Sequence, residues 1–169
     1  MLNDQTKLKV TTLLMGKSEL SVDFGFDLKK DNGDHWFKGS LNRFDLTELN
    51  KVFVPFKAIS IRSGQLDRLT FSVRLNNDVS DGELSFLYSN LKIDRLNKDD
   101  LKNRDFDNSF KSLLANTFLI KKSNPSGNSD PRIGVIHYKR AKEKSIFDFW
   151  IKSVLDGMRS TILSVEPSK

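Results

Sequence analysis

The chain has 169 residues, of which 37% are hydrophobic and 30% charged, a composition typical of a globular domain rather than a disordered segment. It contains no cysteine, which excludes disulfides, cysteine-ligated zinc and thiol chemistry. The net charge is +6, and residues 121–169 hold ten Lys or Arg against five Asp or Glu. That basic end either attracts anionic lipid or nucleic acid or forms a solvated face.

The aromatic residues and the start of the chain add two observations. Thirteen residues are Phe, a bias that fits either a Phe-rich core or an apolar groove for a ligand. The sequence has no run of about 18 apolar residues that would span a bilayer, and Met1–Thr6 lacks the basic start and apolar core of a signal peptide. If the protein works outside the cytoplasm, we expect its export signal to have been lost or to lie upstream.

The first part of the chain alternates apolar and polar residues, which predicts β-strands. A strand is predicted at Lys7–Met15, with Gly16-Lys17 as its turn. A hairpin is predicted from the strands at 22–28 and 35–42, which the polar turn 29–34 connects. After it, Asp45 is the predicted N-cap of a short helical turn that ends before Pro55.

Strands resume at residues 59–62, 69–76 and 83–88, and the alternation changes phase near Asn90, which predicts a bulge or bend. The spacing of apolar residues then predicts a helix over 106–118, a strand over 132–139 and a last helix over 145–165 with Ser145 as its N-cap. Gly157 inside that helix costs roughly 1 kcal/mol relative to Ala, which predicts a close packing contact. Seven apolar residues are expected to share one face of the sheet: Leu69, Phe71, Val73, Leu75, Leu84, Phe86 and Tyr88.

These elements predict an α+β fold, a twisted and groove-like antiparallel meander with two longer amphipathic helices near the C-terminus. We expect one domain over 1–169, with strands mainly in 1–104 and a helix–strand–helix arrangement in 105–169. The same alternation would suit an open groove wall or a sheet capped by helices.

Residue patterns that carry catalysis are not found in the sequence. His35 and His137 have no second ligand at metal spacing, and we interpret both as ordinary strand residues. No nucleophile elbow or phosphate-binding loop occurs, and Asp99-Asp100 lies in a charged loop. We therefore predict that the chain is not an enzyme and binds no cofactor. The sequence leaves open one alternative, an enzyme whose catalytic residues are only Asp, Glu and Lys.

The most basic segment, His137–Lys144, carries one aromatic residue and no nucleic-acid recognition signature, so no nucleic-acid partner is expected. It directly precedes the last helix, whose apolar stripe includes Trp150. The combination is typical of a helix resting at a membrane surface, or of a helix packed across a sheet.

Several short segments, in this order, resemble the C-terminal end of AsmA-like proteins of the bacterial envelope. They are Phe44–Asn50, Ile59–Leu66, Gly82–Leu84, Tyr88–Ile93, Ala115–Thr117, Lys122–Pro125, Ile133–Gly134, Tyr138–Arg140, Lys144–Phe147, Trp150–Ser153 and Asp156–Met158. Residues 1–43 match that family only in strand character.

The resemblance implies the end of a long β-groove in a periplasmic, bridge-like lipid-transfer protein that takes part in outer-membrane biogenesis. An upstream helix, absent from this chain, would anchor it in the inner membrane. The family has no catalytic residues to carry over. We therefore expect the seven apolar residues above to contact phospholipid or another acyl lipid, with Lys139, Arg140, Lys142, Lys144 and Trp150 near head groups. The alternative is a capping module that docks envelope proteins.

Overall fold

A computed structural model describes residues 6–27, 29, 32–53, 60–94 and 120–163. Its elements in chain order are β1 (Thr6–Leu14), β2 (Ser18–Phe26), β3 (His35–Leu41), β4 (Phe44–Asp45), a 3₁₀ turn (Leu46–Leu49), α1 (Asn50–Phe53), β5 (Ser60–Leu75), β6 (Val79–Asp94), β7 (Ile133–Lys139) and α2 (Ile146–Leu163).

The strands form one open, twisted antiparallel sheet, and the fold is α+β. Strands β1, β2, β3, β5, β6 and β7 follow one another in that order, while the two-residue β4 pairs with β5. The predicted meander is therefore confirmed, and β1 and β7 are its edges. Successive side chains of a strand point to opposite faces. We call the face that packs against α2 the inner face, and the opposite face the outer face.

The first hairpin has the predicted turn. The Gly16 N–H donates to the Leu13 carbonyl, and the Lys17 N–H donates to the Leu14 carbonyl. Met15 and Gly16 both take a left-handed backbone, with φ of 51° and 69°. The turn sets a register in which Val10 lies opposite Val22 and Leu8 opposite Phe24, so these apolar residues share the inner face.

Two polar side chains hold the chain between β4 and β5. Asp45 Oδ1 accepts the Thr47 N–H at 2.9 Å, which confirms the predicted N-cap. The Asn50 amide donates to the Ile61 carbonyl and accepts the Ile61 N–H, each at 2.8 Å. The short helical segment is thereby fixed against the start of β5, while its predicted end before Pro55 lies outside the described residues.

The central pair, β5 and β6, is longer and more irregular than the sequence predicts. The predicted strands at 59–62 and 69–76 belong to one strand of 16 residues, β5. Its register against β6 shifts at three places between Ile61 and Arg68, which lets the strand bend through its polar middle. Asn90 has φ of 55°, and the buried positions change phase there from Tyr88 to Leu91, as predicted.

Helix α2 lies on β6 and β7 through its smallest residues. Ser145 Oγ accepts the Asp148 N–H at 3.2 Å, which confirms the predicted cap. Ser153 and Gly157, one turn apart, are buried, and a Cβ on Gly157 would lie 2.7 Å from Ile136 Cγ1. The close packing contact predicted for Gly157 is confirmed.

The described residues hold one helix longer than a single turn, α2, so a second long helix is not part of this described fold. The helix predicted over 106–118 lies outside the described residues. Strand β7 pairs with β6, which joins the C-terminal segment to the same sheet. No helix in the described part of the chain is both long and apolar enough to cross a membrane.

Candidate functional site

The seven residues expected to contact lipid do share one face, the inner face. Leu69 lies opposite Phe86 and Phe71 opposite Leu84 across β5 and β6. All seven belong to the buried core, with exposures between 1% and 8%. Their grouping is as predicted. In this structure, however, α2 and neighbouring side chains cover them, so lipid could reach these side chains only if that cover moved.

At its other end, on β1 and β2, the inner face is left partly exposed by the residues that the structure describes. Leu8 lies opposite Phe24 and Val10 opposite Val22, and Leu8 and Val10 are 51% and 40% exposed. Phe24 in turn lies opposite the buried Phe37 of β3, so this surface is continuous with the core. We call it the apolar strip, and it consists of Leu8, Val10, Leu20, Val22, Phe24 and Phe26.

Trp150 of α2 stands at the boundary between the apolar strip and the core. Its ring centroid is 4.8 Å from that of Phe24 and 6.0 Å from that of Phe37. The indole N–H donates to His35 Nε2 at 2.8 Å, which leaves His35 Nδ1 to donate to the Gly33 carbonyl at 2.7 Å. The Trp150 ring thus packs against the sheet with its indole N–H satisfied by His35, and its expected contact with head groups stays a prediction.

Two basic residues just after β7, Arg140 and Lys142, contact the turn between β5 and β6. Lys142 Nζ is 2.7 Å from Asp78 Oδ1, and this hydrogen bond lowers the pKa of the Asp78 carboxyl. The Arg140 N–H donates to the Asp78 carbonyl, and the Arg140 guanidinium lies 5.8 Å from the Phe149 ring centre. Lys139 and Lys144 are exposed. The side chain of Arg140 therefore packs on α2, while the three lysines face water.

Two apolar residues in the first half of α2 are exposed. Phe147 and Ile151 are 66% and 61% exposed, and the Phe147 ring centroid is 5.2 Å from that of Trp150. They lie one turn apart, three and seven residues after Lys144.

The outer face carries open clefts. A cleft of about 530 Å³ is lined by Trp36, Arg74, Asp27, Asp34 and Asp81, among others. A shallower one of about 460 Å³ is crossed by a row of hydroxyl residues that lie opposite one another in register, including Ser21, Ser40, Thr70 and Ser85. Both clefts are wide open to solvent and their walls mix polar and apolar groups, so neither encloses a ligand as a typical acyl-chain pocket does.

Two buried polar side chains, Asn124 and Tyr88, form hydrogen bonds that hold the chain in place. Asn124 is 1% exposed. Its amide donates to the Phe86 and Arg132 carbonyls, and its oxygen accepts the Arg132 N–H. Burial raises the pKa of Tyr88, whose hydroxyl donates to the Lys121 carbonyl. Both residues fasten the segment before β7 to β6.

The described residues also contain no group of three or more His, Asp or Glu side chains placed to hold a metal ion. His137 Nδ1 lies 2.6 Å from Asp81 Oδ1, but both side chains are mostly exposed. Comparison with known proteins finds no family model, no curated protein and no solved structure that matches this chain.

Proposed function

We propose that this chain is a non-catalytic lipid-binding segment of a bacterial envelope protein, and that acyl chains lie on the apolar strip. The observation that carries the proposal is the half-covered inner face: α2 shields the part over β6 and β7, while Leu8 and Val10 on β1 stay largely exposed. The residues quoted for the AsmA-like resemblance support the envelope setting, a periplasmic location and an anchor upstream.

Burial of apolar surface would supply the affinity. An acyl chain gains about 0.8 kcal/mol for each methylene that it removes from water. The strip lies beside the Trp150 ring, so an acyl chain along β2 would contact side chains from two strands and one helix. The seven buried residues then serve as the packed core that supports the strip, in place of the direct lipid contact expected from sequence.

Aromatic rings connect the strip to the basic segment. Phe24, Trp150 and Phe147 follow one another with centroid separations of 4.8 and 5.2 Å, and Phe147 comes three residues after Lys144. A lipid whose chains lie on the strip would direct its head group toward Lys142 and Lys144. Each lysine near an anionic surface contributes about 1 kcal/mol.

The experiment is native mass spectrometry of the chain purified from bacteria without detergent, with two matched variants. Val22 faces the strip, whereas Ser21 is its neighbour on the outer face, and both are half-buried. We expect phospholipid bound at defined stoichiometry by the unmodified chain and by Ser21→Asp, and at least about tenfold less by Val22→Asp. Equal lipid occupancy in both variants would contradict the proposal.

The second candidate is a docking module for envelope proteins. It is favoured by the outer edge of β1, to which no described residue is paired. A chain that recruits protein but carries no lipid in the same experiment would support this candidate over the first.

A further inference from the structure

The turn between β2 and β3 contains an asparagine followed by a glycine, Asn32 and Gly33. It is the only Asn–Gly pair in the sequence. The side-chain amide of an asparagine is open to attack by the main-chain nitrogen of the next residue. A glycine at that next position leaves the attack unhindered, because it has no Cβ. The side chain of Asn32 is exposed, so its amide is in contact with water.

The fold itself requires the glycine at position 33. Gly33 has φ of 70°, a left-handed backbone that favours glycine. A Cβ at this position would overlap Asn77 Oδ1, which belongs to the turn between β5 and β6. The contact between the two turns therefore retains the residue that makes Asn32 reactive.

The hydrogen bonds of this turn suit the attack. Asn32 Oδ1 accepts the Asp34 N–H at 3.1 Å. This donor draws electrons away from the Asn32 Cγ, and it points at the oxygen on which negative charge develops during the attack. The Gly33 N–H has no acceptor among the residues that the structure describes. The carbon under attack is thus polarised, while the attacking nitrogen is not held in another bond.

We propose that Asn32 is a self-modification site, at which the chain converts its own asparagine to aspartate and isoaspartate. The Gly33 nitrogen gives its proton to hydroxide and bonds to the Asn32 Cγ. The bond from Cγ to Nδ2 breaks, and Nδ2 takes a proton from water and leaves as ammonia. The product is a cyclic imide that contains Cγ, the main-chain carbonyl carbon of residue 32 and the Gly33 nitrogen.

Water then opens the imide at one of its two bonds to the Gly33 nitrogen. Cleavage of the bond to Cγ restores the main chain and leaves an aspartate. Cleavage of the bond to the main-chain carbonyl carbon leaves an isoaspartate, whose main chain runs through Cβ and Cγ and is one atom longer. Either route consumes one water molecule, releases one ammonia and adds a negative charge at neutral pH. No oxidant or cofactor takes part.

The isoaspartate should weaken the contact between the two turns. The Asn32 carbonyl accepts the Asn77 N–H at 3.1 Å, and in isoaspartate this carbonyl carbon becomes a carboxylate beside the main chain. The added charge also lies close to Asp34, whose carbonyl accepts the Asp27 N–H, and like charges repel. We therefore expect the modified chain to be less stable. This inference does not rest on the proposed function.

The experiment is incubation of the full chain at mildly alkaline pH, both folded and unfolded in guanidinium chloride, followed by peptide mass mapping. Asn128 is the matched control, because it is exposed in a turn and the side chain of Ser129 hinders the attack. We expect aspartate and isoaspartate at Asn32 in both samples, formed faster than at Asn128. In the folded chain they should form at least as fast as in the unfolded chain, because the turn positions the reacting groups.

Isoaspartate identifies the imide route, since direct hydrolysis of the amide gives aspartate alone. Aspartate without isoaspartate would therefore overturn the proposal. Slower conversion of Asn32 in the folded chain than in the unfolded chain would overturn it as well, because the fold would then protect the amide.

The purified isoaspartate form should unfold at a lower urea concentration than Asn32→Asp, which carries the same added charge on an unchanged main chain. Equal unfolding midpoints for these two proteins would contradict the expected loss of the contact between Asn32 and Asn77.

Discussion

Gly134 of β7 and Gly157 of α2 bring the two elements into backbone contact, since a Cβ on Gly134 would overlap the Gly157 carbonyl oxygen. A Cβ on Gly157 would in turn press against Ile136 Cγ1 and Leu84 Cβ. This contact fixes how closely the helix approaches the sheet. It also decides how much of the inner face the helix covers.

Substitution of these glycines should therefore destabilise the fold by different amounts. Gly134→Ala should lower the free energy of unfolding by about 3 kcal/mol, because the added methyl meets backbone that cannot move aside. Gly157→Ala should lower it by about 1 kcal/mol, because Ile136 can rotate and Ala favours the helix. Urea unfolding followed by circular dichroism measures both.

The matched control is Ile151→Ala, at an exposed position of the same helix, which should change the free energy of unfolding by less than about 0.5 kcal/mol. If Gly157→Ala instead stabilised the protein by about 1 kcal/mol, as helix propensity alone requires, the close contact would not exist.

Ser80 and Ser153 form a fully buried hydroxyl pair between β6 and α2, 2.7 Å apart. Ser153 Oγ also lies 2.7 Å from the Phe149 carbonyl, and Ser80 Oγ lies 3.3 Å from the Tyr138 carbonyl, so each hydroxyl has a main-chain acceptor besides the other hydroxyl. Each single substitution by Ala should cost about 1–2 kcal/mol of unfolding free energy, because it leaves a buried hydroxyl with fewer partners. The double variant should lose less than the sum of the two singles. Strict additivity in a double-mutant cycle would count against this hydrogen bond.

Glu48 links the β1–β2 turn to the 3₁₀ segment and makes stability depend on pH. Hydrogen bonds from Lys17 and Lys51 lower the pKa of Glu48 from 4.5 to about 2. A carboxyl group whose pKa is lowered by folding stabilises the protein above its unfolded pKa, and that stabilisation is lost as pH falls through the folded pKa. The advantage of the unmodified chain over Glu48→Gln should therefore be full above pH 4.5 and disappear toward pH 2.

Urea unfolding of both proteins at a series of pH values tests this, and Glu19→Gln, on the exposed outer face of β2, is the control. The Glu48 contribution should also shrink in high salt, because Lys17 and Lys51 are mostly exposed. A difference between the two proteins that does not change between pH 5 and 2 would show that the ion pairs do not form.

The strands could be predicted from sequence because each has one apolar face and one polar face. The alternation through Phe71 and Phe86 identified both the strands and the buried face, and the phase change at Asn90 identified a bulge. The continuity of β5 was not predictable, since its polar middle around Gly64 interrupts the alternation although β6 still pairs alongside it.

How much of the inner face is shielded from water could not be predicted from the sequence either. Apolar periodicity shows which residues avoid water, but it does not tell which element keeps water away. Phe71 and Val10 have the same alternating context, yet Phe71 is buried in the core and Val10 is 40% exposed. The difference arises from the path of α2, which depends on the packing of Gly134 and Gly157. The contact between Trp150 and His35, 115 residues apart, likewise has no local signal.

The most direct test of lipid binding on the inner face uses the two tryptophans, which lie on opposite sides of the sheet. Trp150 borders the apolar strip, whereas Trp36 is on the outer face, where its ring lies over Gly25. Trp36→Phe leaves Trp150 as the only indole, and Trp150→Phe leaves Trp36. Each variant would be mixed with phospholipid vesicles whose acyl chains carry bromine, a short-range quencher of indole fluorescence. The proposal predicts strong quenching of Trp150 and little quenching of Trp36. Equal quenching of both, or none of Trp150, would contradict it.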